Sequence, residues 1–172
     1  MTAPQAIRPA RVDEAATLAA LHVRVWRETY VGIAPPGVAE ALDEAHRLPG
    51  WQAALARRQG VLVAEIAGGV AGVVCFGTAT QAAFDGRAEV KHLYVEQWAR
   101  GHGTGGALLR AAFADLASGG WTGVGLAVVA ANVAARRFYA AQGGREIGRF
   151  RDAGPLWPSD NLLVAWDLPR PA

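Results

Sequence analysis

The spacing of apolar residues near the N-terminus predicts an amphipathic helix. Apolar positions recur there at i, i+3 and i+7, which places them on one face of a helix. This face consists of Leu18, Leu21 and Val25, and a second stripe of His22, Trp26 and Tyr30 lies beside it. The helix is expected to begin near Asp13 or Thr17 and to run to about Tyr30. One side of it should therefore pack against a core.

Less regular segments flank this helix. Residues 6–8 predict a short first strand before it, and residues 32–37, which include Pro35-Pro36, predict a loop after it. A second helical region should then reach about Arg58. We expect a break in it at Pro49-Gly50, because proline lacks the N–H that a helix interior requires and glycine is a weak helix former.

The rest of the chain alternates between β-rich runs and helical patterns. Two apolar runs, 61–66 and 70–78, flank the turn sequence Ala67-Gly68-Gly69 and predict a hairpin. Further strands are predicted over 87–95, 122–129, 145–150 and 162–168, and helices over 107–117 and 132–142, the last with Asn132 as its N-cap. Because a helix joins the strands at 87–95 and 122–129, these two should form a parallel crossover pair.

The resulting order, βααβββαβαββ, predicts a mixed α/β fold with α+β character. Hairpins join most of the strands, so the sheet should be mostly antiparallel with helices on both faces. The 172 residues are suited to one domain, 1–172, with its core between 6 and 168.

The amino-acid composition limits the kinds of partner that the protein is expected to bind. The formal net charge is only +2, which is too small to indicate nucleic-acid binding. Cys75 is the only cysteine and lies in an apolar run, so we expect a buried, inert thiol and a cytoplasmic location. No segment resembles a signal peptide or a membrane span, and no histidine has the partners of a persuasive metal site, so neither a membrane nor a metal is expected.

The turn at 101–106 is the strongest sign of a ligand site. Glycines stand at 101, 103, 105 and 106, directly before a well-patterned helix. A helix N-terminus presents unpaired N–H groups and partial positive charge, and glycines let a phosphate approach them. Arg100 adds a positive charge, so the turn is suited to a diphosphate.

The segment has three possible interpretations: a dinucleotide-binding turn, a nucleotide P-loop and a plain flexible loop. The pattern Gly101-x-Gly103-x-x-Gly106 matches a dinucleotide fingerprint, but the next strand ends without the acidic residue that binds the ribose. A nucleotide P-loop would continue with Gly-Lys-Ser/Thr, whereas this turn continues Gly106-Ala107-Leu108. A plain flexible loop is a weaker interpretation of four glycines before such a helix.

The turn also resembles the central motif of the GNAT superfamily of N-acetyltransferases. That motif, Gln/Arg-x-x-Gly-x-Gly/Ala, is represented here by Arg100-Gly101-His102-Gly103-Thr104-Gly105. The preceding strand Glu89–Val95 and the later stretch Asn132-x-x-Ala135-x-x-Phe138-Tyr139-x-x-x-Gly143 are similar to the family as well, in the same order. One departure is Gly144, where the family usually has an aromatic residue.

The resemblance implies a binding site for acetyl-CoA as co-substrate. Relatives bind it in a V between two splayed parallel strands, with backbone groups of the first strand along the pantetheine arm. Here the implied cofactor-binding residues are Leu93, Tyr94, Val95, Arg100, Gly101, His102, Gly103, Thr104, Gly105, Gly106, Asn132 and Tyr139. His102 would contribute backbone only, and the Val95 N–H would stabilise the oxyanion.

The resemblance also implies two catalytic residues. Glu89 occupies the position of a general base in some relatives, acting directly or through water, and Tyr139 that of a general acid beside the thioester sulfur. By period-2 alternation Glu89, Lys91, Leu93 and Val95 should share one face of the strand. A solvated carboxylate and a core aromatic are the ordinary alternatives for these two residues.

The sequence indicates the acceptor-binding residues less clearly than the cofactor-binding residues. Trp26, Tyr30 and the loop 31–37 are the candidates for substrate binding, with plain packing of α-helix on sheet as the alternative. The segment 152–161 is a second candidate. The sequence thus predicts an N-acetyltransferase for a small-molecule or peptide amine, with a homodimer expected from the resemblance. The alternatives are a non-catalytic acyl-CoA-binding domain of the same fold and a dinucleotide-dependent oxidoreductase.

Overall fold

The chain folds around one seven-stranded sheet. A computed structural model describes residues 5–58 and 60–170. The strands are β1 (Gln5–Pro9), β2 (Val61–Ile66), β3 (Gly69–Thr78), β4 (Ala88–Val95), β5 (Gly123–Val129), β6 (Arg145–Asp152) and β7 (Ser159–Asp167). Their spatial order is β1-β2-β3-β4-β5-β7-β6, and every neighbouring pair is antiparallel except β4–β5. The predicted mixed α/β fold is confirmed.

Helices cover both faces of the sheet. They are α1 (Ala15–Tyr30), α2 (Val38–Ala41), α3 (Glu44–Ala56), α4 (Thr104–Ser118) and α5 (Val133–Ala141). On one face α1 and α3 pack on β2 and β3, and the predicted stripe Leu18, Leu21 and Val25 is buried there. On the other face α4 forms the larger core with β3, β4, β5 and β7, and α5 packs along its side. Burial of these apolar faces is what holds helices of this length on the sheet.

The predicted helix break at Pro49-Gly50 is wrong. α3 runs through Pro49 without interruption, capped at its start by Asp43, whose side chain accepts the His46 N–H at 2.8 Å. A proline there removes a single backbone hydrogen bond. Burial of Trp51 and Leu55 on the following turn offsets that loss.

The fourth helix begins three residues earlier than its apolar pattern predicts. α4 starts at Thr104, so Gly105 and Gly106 lie in its first turn. A side chain there would crowd α5 and its C-cap: an added Cβ would lie 3.0 Å from Phe138 Cζ at Gly105, and at Gly106 it would lie 2.8 Å from Oε1 of the flexible Gln142 side chain. The glycines therefore serve helix–helix packing as well as any ligand.

A bulge in β4 changes which side chains share a face. Cys75 pairs with His92 and Phe76 with Val90, so Lys91 is the extra residue. Leu93 and Val95 consequently pack on the α4 core, on the same side as Val90. The prediction that Glu89 and Lys91 share a face with Leu93 and Val95 is wrong, because one inserted residue reverses the alternation that follows it.

The family's usual aromatic residue is missing at position 144 because another aromatic fills the space. A Cβ at Gly144 would lie 2.6 Å from both Trp166 Cζ2 and Val164 Cγ1. Trp166 is buried, and its indole N–H donates to the Gln142 carbonyl at 3.0 Å. Trp166 thus anchors the end of α5 from β7.

Candidate functional site

The parallel strands β4 and β5 separate almost at once. They pair only at Ala88 with Val124 and at Glu89 with Gly125, although both strands continue for several residues. Beyond that point a cavity of about 600 Å³ opens between them. Its walls are β4, β5, the N-terminal turn of α4, α5 and the C-terminal end of α1. We call this cavity the splay cleft.

Main-chain groups of β4 face the splay cleft. The Glu96 N–H donates to the Ala71 carbonyl of β3 at 2.9 Å. Successive residues of a strand direct their N–H and C=O groups to opposite edges, so the groups of Val95 point away from β3. The Val95 carbonyl accepts the Arg100 Nε–H at 2.9 Å. The Val95 N–H therefore points toward the gap that the departing β5 leaves.

The first turn of α4 forms the opposite end of the cleft. Its N-cap, Gly103, has φ +81° and supplies no side-chain cap, and the space where its Cβ would be is open. The first N–H groups of a helix have no partner within the helix. Those of Thr104, Gly105 and Gly106 are thus presented to the cleft with the positive end of the helix dipole.

Neighbouring side chains hold this turn in place. The Thr104 hydroxyl lies 3.1 Å from the Ala99 carbonyl and 2.8 Å from Gln5 Oε1, which ties the turn to β1. Arg100 also forms an ion pair with Glu28 at 3.2 Å, so its charge is shared with α1. His102 is exposed and does not line the cleft, whereas Arg100 and Gly101 do.

The chain's three tyrosines converge on the cleft. Tyr30 comes from α1, Tyr94 from β4 and Tyr139 from α5, and all three line it. Burial raises the pKa of Tyr139 above its ordinary value, and the phenol of Tyr30 adds a smaller effect. Tyr139 therefore keeps its proton at neutral pH and is available as a donor.

Glu89 is the last residue of β4 that pairs with β5, and it stands directly before Val90 and Lys91, which line the cleft, without lining it itself. Its Oε2 is buried without a hydrogen-bond partner among the described residues. Burial raises the pKa of this carboxyl above its ordinary value, which the main chain at Thr80 and the charge of Lys91 partly oppose. A half-buried carboxyl with one free oxygen and a raised pKa has the properties of a general base.

The remaining predicted residues fall in different places. Asn132 is buried at the start of α5, accepts the Ala135 N–H at 3.2 Å and lines the cleft, so it is the predicted N-cap. Trp26 does not line the cleft: it is buried, stacked on Tyr30 and edge-on to Trp157. Trp157, from the candidate segment 152–161, thus closes over the end of α1.

Some lining residues were missed by the sequence reasoning. They are Val25, Thr29, Leu126, Val128, Arg110 and Gln142. Arg110 follows Gly106 by four residues, so helical spacing from the glycine turn could have found it. The residues of β5 gave no signal, because an apolar strand looks the same whether it lines a cleft or a core.

The splay cleft fits a long, extended thioester with a diphosphate. Free N–H groups and open space at Gly103 suit the diphosphate, and unpaired strand edges suit an amide-containing arm. Residues 21–143, more than half of the chain, match the Acetyltransferase (GNAT) family. The chain belongs to the GNAT family of acetyltransferases. It is therefore a member of a family of acyltransferases.

Solved structures share this fold. PaiA N-acetyltransferase from Thermoplasma acidophilum, in complex with coenzyme A, is 19% identical with a TM-score of 0.78, covering 95% of this chain and 99% of that one. A GCN5-related N-acetyltransferase from Rhodopseudomonas palustris is 20% identical with a TM-score of 0.78, covering 98% of each chain. The structure of yncA from Salmonella typhimurium with its cofactor acetyl-CoA is 21% identical with a TM-score of 0.71, covering 98% and 96%.

No curated protein matches the chain in a sequence search. Among the helices that the structure describes, none combines the length and the apolar character needed to cross a bilayer. The described residues also contain no group of three or more His, Cys, Asp or Glu side chains arranged to hold a metal ion.

Proposed function

We propose that the protein transfers an acetyl group from acetyl-CoA to a primary amine of a small molecule or a peptide. The observation that carries this proposal is the position of Glu89. It is the last residue of β4 that pairs with β5, directly before Val90 and Lys91 of the splay cleft, and one oxygen of its half-buried carboxyl has no partner among the described residues. Two structures of the same fold were solved with coenzyme A or acetyl-CoA, which supports this co-substrate here.

The acetyl transfer requires a base, because an amine near neutral pH is mostly protonated. Glu89 takes the proton that the amine loses, directly or through a water. The amine nitrogen then bonds to the acetyl carbon as the carbon–sulfur bond breaks. The Val95 N–H donates to the carbonyl oxygen as negative charge grows on it. Tyr139 gives a proton to the departing sulfur and regains, through solvent, the second proton that the nitrogen loses once it is bonded to the acetyl carbon.

The first experiment follows release of free thiol from acetyl-CoA in the presence of a library of primary amines. Turnover with at least one amine is expected, with coenzyme A and the acetylated amine as the products. Calorimetric titration with coenzyme A, with NAD as the control ligand, measures the affinity of the cleft for its ligand without any acceptor. Absence of any affinity for coenzyme A would refute the proposal.

The alternative is an acyl-CoA-binding domain without catalysis. It predicts the same affinity for coenzyme A and no thiol release with any amine. The free oxygen of Glu89 favours the enzyme, because a domain that only binds has no use for a half-buried carboxyl with an unpaired oxygen.

A further inference from the structure

A second cavity meets the splay cleft at β4. It is lined by α1, α3, strands β2, β3 and β4, and the C-terminal end of α4, which contributes Asp115. Its lining includes His22, Arg47, Trp51, Cys75, Lys91 and His92. Lys91 and His92 also line the splay cleft, so the two cavities share a wall. We call the second one the donor cavity, because two hydrogen-bond donors without partners in the part of the chain that the structure describes belong to its lining residues His22 and Arg47. Nothing in the proposed chemistry yet uses it.

His22 presents a hydrogen-bond donor to this region. It is 1% exposed, and its Nδ1 accepts the Trp51 indole N–H at 3.3 Å. Since an indole nitrogen only donates, Nδ1 carries no proton. Burial and the charge of Arg47 keep the ring neutral, lowering its pKa to about 2, so the proton is on Nε2. That Nε2 is buried and has no partner among the described residues.

Arg47 presents a second donor. Its Nε is also buried without a partner, and no ion pair joins Arg47 to an acidic side chain in the described part of the chain. The charge of Arg47 acts on His22, His92 and Tyr94. Lys91 adds a further positive charge beside His92. Arg47 is half-buried, with its Nε fully buried, and Lys91 is half-buried as well. Partly desolvated cations without a counter-ion favour an anionic ligand.

The third unpartnered atom is on Glu89. Glu89 pairs with Gly77, two residues from Cys75 on β3, so both side chains lie on the side of the sheet that α1 and α3 cover. The three buried side-chain atoms without a partner in the described residues are therefore His22 Nε2, Arg47 Nε and Glu89 Oε2. Two are donors and one is an acceptor, and all lie on one face of β3 and β4. Buried polar groups normally find a partner, and a ligand in the donor cavity would supply one to both donors, since His22 and Arg47 line it. Glu89 lines neither cavity, but Lys91, two residues after it in β4, lines both.

We infer that the acceptor is a primary amine that also carries an anionic group, a carboxylate or a phosphate. Its amine would donate to Glu89, and its anionic group would accept from Arg47 and His22 in the donor cavity. This inference rests on the proposed function for the amine end. The evidence for the anionic group of the acceptor comes from the donor cavity alone.

The test compares pairs of amine acceptors in which one member carries an anionic group and the other does not. β-Alanine is set against its amide and ethanolamine phosphate against ethanolamine, with acetyl-CoA saturating and thiol release as the readout. One member of each pair keeps the amine and loses the anion. We expect a KM lower by about tenfold or more for the anionic member of one pair, as charge-assisted hydrogen bonds imply. The two pairs distinguish a carboxylate from a phosphate.

The variant Arg47→Met keeps the aliphatic stem and removes the charge. It should bring the KM ratio of the pair close to one. Arg137→Met, at an exposed position of α5 that lines neither cavity, is the matched control and should retain the full ratio. His22→Gln provides a second variant if Arg47→Met lowers the melting temperature. Equal KM values within both pairs, or a ratio that Arg47→Met leaves intact, would overturn the inference.

A binding measurement separates this inference from the proposed function. β-Alanine, ethanolamine phosphate, acetate and inorganic phosphate are titrated into protein saturated with coenzyme A, with calorimetry as the readout. Anion binding that Arg47→Met abolishes supports the donor cavity even if no amine is acetylated. Turnover of neutral amines without anion binding would leave the acetyltransferase in place and remove the anion site.

Discussion

The splay cleft and the donor cavity share Lys91 and His92 of β4, but they are built in different ways. Main-chain groups and glycines form the parts of the splay cleft at Val95 and at the first turn of α4 that are suited to the co-substrate. Side chains from three separate elements form the donor cavity: His22, Arg47 and Trp51, with His92. A cleft of backbone groups suits a ligand common to a whole family. A cavity of side chains can differ from one member to the next, so it is the better place for acceptor specificity.

Glu89, two residues before Lys91 in β4, should give the largest effect. Glu89→Gln keeps the shape and removes the base, so kcat should fall by about 10²–10⁴-fold, the usual contribution of a general base. The acidic limb of the pH profile of kcat should lie above the ordinary glutamate pKa in the parent, because burial raises it, and should disappear in the variant. Glu40→Gln, at an exposed position of α2, is the control. An unchanged kcat would exclude Glu89 as the base.

A charge at Gly103 should damage the splay cleft alone. Gly103→Asp places a carboxylate in open space beside the turn, and coenzyme A affinity should fall by about thirtyfold, within the range of Coulomb repulsion near a protein surface. Gly68→Asp is the matched control, because Gly68 has φ +79° against +81° and equally open surroundings, in the hairpin between β2 and β3. Calorimetric titration measures both. Equal affinities in the two variants would place the diphosphate elsewhere.

Tyr139→Phe should have a smaller effect than Glu89→Gln. A thiolate is a good leaving group, so loss of a proton donor should lower kcat by about tenfold, less than general acid–base catalysis commonly gives. The KM for acetyl-CoA should change little, since the ring remains. Steady-state kinetics with Tyr30→Phe in parallel distinguishes loss of the acid from loss of any cleft phenol. A kcat that is equal in Tyr139→Phe and the parent would remove the acid role.

The donor cavity should make the fold sensitive to acid. Burial, with the charges of Arg47 and Lys91, lowers the pKa of His92 to about 4 in the folded state, against about 6.5 when unfolded. Between these values the unfolded chain binds the extra proton, so the free energy of unfolding should fall as pH drops, by about 1.4 kcal/mol per unit for this histidine. Urea unfolding from pH 7 to 4.5 measures the slope. His92→Gln should reduce it, and an unchanged slope would contradict the assignment.

The parts of the site that depend on local sequence could be predicted. Gly101, Gly103 and the strand before them indicated a ligand turn, because glycines at a helix start let a ligand come close to the free N–H groups there. The N-cap role of Asn132 and the buried thiol of Cys75 also follow from local pattern. Local sequence wrongly predicted a helix break at Pro49 and a shared face for Glu89 and Val95. The burial of Trp51 and the bulge at Lys91, which decide these two features, depend on residues that are distant in the chain.

The sequence by itself determined the order of elements, the parallel crossover and the position of the glycine turn, since periodicity and turn chemistry act over a few residues. Only the tertiary structure decided which polar atoms remain without partners. His22, Arg47 and Glu89 are far apart in the chain, and each is ordinary in its local context. Whether a buried nitrogen or oxygen is satisfied depends on every element packed around it, and that is a property of the folded chain alone.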